Sequence, residues 1–311
     1  MISKRSLQNY ISTNLFLLSI STIHFLSIEI LSFISSVMPI PYTYPSIFIV
    51  GYTPLVILTN YLLINIIDYK LKNVEWISPR YHSNSLLESG EVEKHLYVFQ
   101  ASVIESFAVL LLTYTFPALS VFSVLDYQTS IYNMLLFIPY SFIFEITFDF
   151  FHYVAHRCCH TKYLYKFHKT HHKYSHPTSI ITFYQDPLDI IISNVIPFTL
   201  TFFIFRPQSL FIFMMLMTYK KYTEIAGHSG KNIDSVCAFP QFMWLPKLFN
   251  IQLHTKDHDL HHTLNNCNYS KRFMMWDKVF GTARGTAVPH NPSLGGQLSP
   301  ITPRSGDSCP P

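Results

Sequence analysis

Long apolar runs constrain this chain more than any other feature. Ile, Phe and Leu dominate residues 15–37, 47–67, 103–125, 131–151, 188–205 and 209–219. Each of the first four is close to the ~20 residues a helix needs to cross a bilayer. The last two are shorter and broken by Pro197 and Pro207, which predicts a hairpin at 188–219 that enters partway or crosses obliquely. Charged residues make up 13% of the 311, against ~25% in a soluble domain. A soluble core can hide one such run but not six. The expected fold is all-α, a multi-pass membrane helical bundle, with N-terminal transmembrane spans in 1–143. The Pro-, Gly- and Ser-rich tail at 289–311 is expected to be disordered.

Charge sets a topology. Lys4 and Arg5 begin the chain, the 38–46 connection carries no charge, and Lys70, Lys72, Arg80 and Lys94 follow within 68–102. Arg157, Lys162, Lys166, Lys169 and Lys173 come after the fourth run. The positive-inside rule then places both termini, the 68–102 loop and everything after 151 on the cytosolic side, apart from the hairpin. The net charge of +4 suits an anionic lipid surface. No basic stripe interleaved with aromatics occurs, so no nucleic acid is expected as a partner. The cysteines are five, Cys158, Cys159, Cys237, Cys267 and Cys309, and an odd number on the cytosolic side predicts no disulfides. His24 and Glu29 are polar groups within the first run, where a helix–helix hydrogen bond is the first expectation and a substrate or proton path the second.

Eight of the 16 histidines fall in three clusters: His152-x₃-His156, His168-x₂-His171-His172 and His258-x₂-His261-His262. On a helix, residues three and four apart share a face, so each cluster can aim several imidazoles at one point. His254 lies one turn before His258. His228 stands in Gly227-His228-Ser229-Gly230, just after the hairpin, with Glu224 a turn earlier. Asp149 precedes His152 by three residues and is expected to accept from an imidazole and fix its tautomer. His160 continues the first face and reads as an interfacial polar group. His176, restrained by Pro177, ends the second cluster outside the ligand set. Asp149, His254, Glu224 and His176 are thus candidates for supporting or additional ligand roles.

Imidazole suits Fe, Zn, Cu or Ni, and these ligands are too many for one ion. Structural zinc closes with four ligands, often thiolates. A nitrogen-rich dinuclear centre that activates O₂ fits better, since iron or copper supplies chemistry that side chains lack. The expected centre is a cytosolic histidine-rich helical cap over the bundle.

Over 144–282 the motifs resemble the fatty acid hydroxylase/sterol desaturase superfamily of integral-membrane di-iron oxidases. They are Asp149-x₂-His152-x₃-His156-Arg157, Phe167-His168-x₂-His171-His172, Gly227-His228-Ser229-Gly230, His258-Asp259-x-His261-His262 and Trp276-Asp277-Lys278-Val279-Phe280-Gly281-Thr282. The His-Ser-Gly element and the closing segment are most similar to those of C4-methylsterol oxidases and sterol 25-hydroxylases. The resemblance implies a catalytic domain at 144–288 that includes the 188–219 hairpin. It implies His152, His156, His168, His171, His172, His228, His258, His261 and His262 as ligands of two Fe ions. It also implies O₂, electrons from NAD(P)H through cytochrome b5 or its reductase, a lipid substrate entering from the bilayer, and the endoplasmic reticulum membrane or an equivalent intracellular one. C4-methylsterol oxidases commonly carry a His-Pro after the second box, where this chain reads Asp186-Pro187.

The expected activity is hydroxylation of a membrane lipid C–H bond, foremost in a sterol such as a C4-methylsterol. Sterol or sphingolipid desaturation and fatty acyl hydroxylation are the alternatives within the enzyme class. A metal transporter or sensor is the rival outside it, and would need polar groups deep in several spans. Only His24, Glu29, Glu105 and Glu145 stand there.

Overall fold

In a computed structural model, residues 4–37, 43–78, 91–115, 127–207, 209–233 and 244–285 are described. The 289–311 tail, Cys237, Cys309 and the end of the third apolar run lie outside them. Among the described residues the chain is helical and forms no sheet strands, only two isolated bridges.

Four long helices come first: α1 (Lys4–Val37), α2 (Thr43–Lys70), α3 (Glu91–Thr115) and α4 (Tyr127–Cys159). Between the short helix α5 (Tyr165–His168) and α6 lie two 3₁₀ turns, His171–Lys173 and Ser179–Phe183. The helix α6 (Pro187–Ile204) has a π-helical turn at Ile191–Val195. It is followed by α7 (Leu210–Gly227), α8 (Trp244–Leu248), α9 (Thr255–Leu264) and α10 (Met275–Val279). α2 packs against α1 and α3, α1 against α7, and α4 against α6. The core they share includes Leu17, Val56, Leu63, Phe144, Phe213 and Leu216.

Among the described residues, four helical stretches are long and apolar enough to cross a membrane: Gln8–Val37, Pro45–Lys70, Val92–Thr115 and Pro187–Ile204. Their outer faces carry exposed Phe33, Val50, Leu58, Phe107 and Leu111, the pattern of helices solvated by lipid rather than water. Two expectations change. The third helix begins at Glu91, twelve residues before its apolar run, because the turns ahead of the run are amphipathic and pack on α2. The stretch at 188–205, expected to enter partway or cross obliquely, is a continuous helix long enough to cross, since Pro197 sits in the first turn after the π segment, where a missing N–H is tolerated. Asp186 caps this helix, its carboxylate accepting from Leu188 N at 2.9 Å. An N-cap thus stands where sequence comparison suggested a histidine.

The 33-residue α4, which holds the fourth apolar run, is not among those four stretches. It is about 50 Å long at 1.5 Å per residue and carries His152 and His156 near its C-terminal end. α7 ends at Gly227 with His228 as its C-cap.

Candidate metal centre

The second histidine cluster does not lie on one helix, as its spacing suggested. His168 closes α5, whereas His171 and His172 lie in a 3₁₀ turn. All three are buried, as are His152, His156, His228, His258, His261 and His262.

Among the described residues two all-histidine groups of ligand atoms result, each with its atoms within 4.8 Å of one another, beside a smaller cluster of Cys159, His168 and Asp189. One of the two groups holds His156, His160, His168, His172 and His261, and the other His171, His228, His258 and His262. Neighbouring residues project in different directions, so His171-His172 and His261-His262 each divide between the groups. His152 falls in neither, although its ring centroid is 5.1 Å from that of His156. His160, expected at an interface, stands inside the first group.

Hydrogen bonds to the outer ring nitrogens fix the tautomers. Nδ1–H donates to Tyr269 O from His156 (2.8 Å), Glu224 O from His228 (2.8 Å), Cys267 O from His261 (2.7 Å) and Tyr174 O from His262 (3.2 Å). His168 Nδ1 meets Asp189 Oδ1 at 2.8 Å, and His152 donates to Ser193 O at 2.6 Å, a carbonyl of the π turn. A carbonyl only accepts, so in each neutral ring bonded to one Nε2 keeps its lone pair.

Those lone pairs then face each other. His168 Nε2 lies 3.1 Å from His156 Nε2 and 3.0 Å from His172 Nε2. His228 Nε2 lies 2.9 Å from His258 Nε2 and 3.3 Å from His171 Nε2. One proton cannot serve two such contacts, and Nε2 of His261 and His262 is buried with no hydrogen-bond partner. Protonation is opposed at eight of these rings. Burial, and then the Lys271 and Arg272 charges, holds His228 down to about 4, and burial with histidine neighbours holds His261 to about 3 and His160 to about 2. His156, His171, His172, His258 and His262 are held well below the ordinary value by the same causes. Converging, unprotonated and unsatisfied nitrogens fit a cation at each group.

The four supporting candidates lie elsewhere. Asp149 accepts backbone N–H from Lys271 (2.8 Å), Arg272 (2.9 Å) and Phe273 (3.0 Å), so it fastens the 271–273 segment and not the His152 tautomer. Both of its oxygens are engaged before any imidazole is reached. Glu224 pairs with Lys220, Lys271 (3.2 Å) and Arg272 (2.8 Å). His176 bonds Asp259 at 2.8 Å. His254 is the N-cap of α9, with its backbone N–H on Asp257. Sequence reasoning passed over Asp189, whose only local sign is its place on the first turn of α6. It also passed over the task of Asp277, which accepts from Tyr269 N and Ser270 N (2.8 and 2.9 Å). The Trp-Asp segment thereby positions the Tyr269 carbonyl that holds His156.

A cavity of about 100 Å³ between α3, α6 and α7 has apolar lining such as Val109, Leu112 and Phe198 and polar lining that includes Glu105, Lys221, Glu224 and Lys271, but no histidine. It reaches the centre through Glu224, whose carbonyl accepts from His228.

Residues 141–282 match the fatty acid hydroxylase family model. The chain carries a fatty acid hydroxylase domain. The chain is similar to a fatty acid hydroxylase of Lecanicillium sp, 33% identical over 46% of this chain and 41% of that protein. It is similar to the C-4 methylsterol oxidase of Schizosaccharomyces pombe, 31% identical over 45% of this chain and 47% of the relative. It also resembles human cholesterol 25-hydroxylase, 29% identical over 47% and 50% of the two chains. This chain therefore spans about half the length of the curated relatives it matches. No solved structure matches. The matched region takes in the C-terminal part of α4 and all of α5 to α10 with both nitrogen groups, while α1 to α3 lie ahead of it.

Proposed function

We propose that this chain is a membrane-bound monooxygenase that hydroxylates an unactivated C–H bond of a lipid, using O₂ at two iron ions. The carrying observation is the pair of buried, converging Nε2 groups, reached through Glu224 by a cavity with apolar walls, with helices of membrane length around it. Iron would supply the O₂ chemistry that amino acids lack. His156, His160, His168, His172 and His261 would hold one ion, and His171, His228, His258 and His262 the other, with His152 at the edge of the first.

The protein's share is arrangement. Carbonyls and Asp189 hold the imidazoles with their lone pairs inward, as metal sites require. Burial keeps bulk water and protons away. The apolar cavity walls orient the lipid, which enters from the bilayer between α3 and α6. Exposed Lys162, Lys166 and Lys169 offer a basic surface for an acidic electron donor, read here as cytochrome b5 or its reductase fed by NAD(P)H. Lys173 is already engaged by Tyr184 (2.7 Å) and Glu93 (3.2 Å). The membrane is that of the endoplasmic reticulum or its equivalent, with the centre and both termini on the cytosolic side.

A sterol is the favoured lipid, because a C-4 methylsterol oxidase and a cholesterol 25-hydroxylase are among the similar proteins. The test is lipid profiling under ¹⁸O₂ of cells expressing the wild type or a His171→Ala/His172→Ala double variant. One labelled oxygen in a lipid made only by the wild type supports hydroxylation. An unlabelled double bond would replace it with desaturation. No difference in folded, iron-loaded protein supplied with the electron donor would remove the reading.

A further inference from the structure

Two cavities adjoin inside the bundle. The larger runs along α3, α6 and α7. The smaller, about 10 Å³, is walled by His24, Tyr52, Thr59 and Thr218. Glu105, Val109, Met217 and Lys221 line both, and the Lys221 Nζ–Glu105 Oε1 pair (2.7 Å) lies in that shared wall. Volume of this order accommodates one water-sized polar group.

The small recess is built for hydrogen bonding. His24, Tyr52 and Thr59 are each buried. His24 Nδ1 meets Tyr52 OH at 2.8 Å and Nε2 meets Thr59 Oγ1 at 2.8 Å. Joining α1 to α2 needs only one of these bonds. Tyr52 O–H donates to the Met214 thioether at 3.7 Å, a weak acceptor that a lipid oxygen can outcompete. Glu105 can accept the proton of an incoming hydroxyl, and Lys221 can donate to its oxygen. A charged pair inside a membrane bundle is costly and marks a path or site more often than a scaffold.

Position along α7 converts this recess into a statement about regiochemistry. Along α7, Lys221 lies about 10 Å before His228, and Met214 lies about 20 Å before His228. A polar group anchored at Tyr52, Glu105 and Lys221 therefore stands well away from the metal groups.

We infer that the cavity anchors its lipid by a hydroxyl in the recess formed by His24, Tyr52, Thr59 and the Lys221–Glu105 pair, so that the oxidised carbon is remote from that hydroxyl. This rests on the lipid-oxidation reading above and favours a distal chain carbon over a methyl beside the hydroxyl-bearing carbon, the C4-methylsterol case.

The test uses the full chain in lipid nanodiscs with cholesterol and with 5α-cholestane, which lacks the hydroxyl. Wild type should bind cholesterol more tightly by roughly fivefold, the worth of one net hydrogen bond. Tyr52→Phe and Glu105→Gln should abolish that preference while keeping cholestane binding and metal content at the wild-type level, which shows that they fold. In the ¹⁸O₂ experiment the label should sit on a carbon remote from the hydroxyl. Equal binding of the two probes by wild type, a preference retained in both variants, or label next to the hydroxyl-bearing carbon would each overturn the inference. Hydroxyl-dependent binding without oxygenation of any lipid would uphold the recess and remove the oxidase reading instead.

Discussion

His168 and Asp189 meet at 2.8 Å with both side chains shielded from solvent, 1% and 0% exposed. A carboxylate behind an imidazole strengthens the other nitrogen as a donor to metal and fixes its direction. Asp189→Asn keeps the shape and loses the charge. Metal affinity should fall by about 10- to 100-fold, measured by competition with a chelator on purified protein. Unchanged affinity would show that Asp189 only packs.

Asp149 collects three backbone N–H groups of 271–273 and should act through folding. Asp149→Ala leaves those donors buried and unanswered. The expected loss is about 3 kcal/mol or more, read as a lower melting temperature of the detergent-solubilised chain. A tautomer-fixing role at His152 would instead lower metal content with little change in melting.

His160 is the addition to the first nitrogen group that its spacing did not announce. His160→Ala should lower metal content at the first group only, weakening but not abolishing binding there, since His156, His168, His172 and His261 remain and the second group keeps its four nitrogens intact. Elemental analysis of the purified variant beside wild type decides this. Full metal content would return His160 to the interfacial role.

Acid should destabilise the metal-stripped protein. Burial holds His228 to about 4 and His261 to about 3, below the ~6.5 of an unfolded chain. Between these values the unfolded chain binds more protons, so stability present above pH ~6.5 is lost as pH falls toward the folded values. Each of these rings contributes on the order of 2 kcal/mol at pH 5. Thermal melts of the stripped protein should therefore fall steadily from pH 7 to pH 5, and a flat profile would contradict the buried, neutral assignment.

Buried Arg272 pairs with Glu145 at 2.9 Å and Glu224 at 2.8 Å. Arg272→Met strands Glu145, while Glu224 keeps Lys220 and Lys271, and should cost about 3–5 kcal/mol. Chemical denaturation in detergent measures it, and a variant as stable as wild type would show that Glu145 finds another partner.

The apolar runs were legible because a bilayer demands length and composition together, and the histidine clusters because three- and four-residue spacing survives in any helix. His24 was also legible as a helix–helix contact, and the structure shows it bonded to α2. What stayed hidden depends on chain far away. Nothing near Asp149 says that residues 271–273 will arrive with three free N–H groups. Asp189 reaches His168 only because α6 begins beside α5. His171 and His172 were read as one helical face, whereas the 3₁₀ turn there is imposed by packing.

The divided pairs His171-His172 and His261-His262 have a last consequence. Each places one ring in either group across a single peptide unit, whose α-carbons stand about 3.8 Å apart by bond geometry alone. The interval between the two groups is therefore ruled by covalent structure at two points, and not by how the surrounding helices settle. Thermal breathing or a lipid wedged into the bundle can tilt the centre as a whole, but it has little purchase on that spacing.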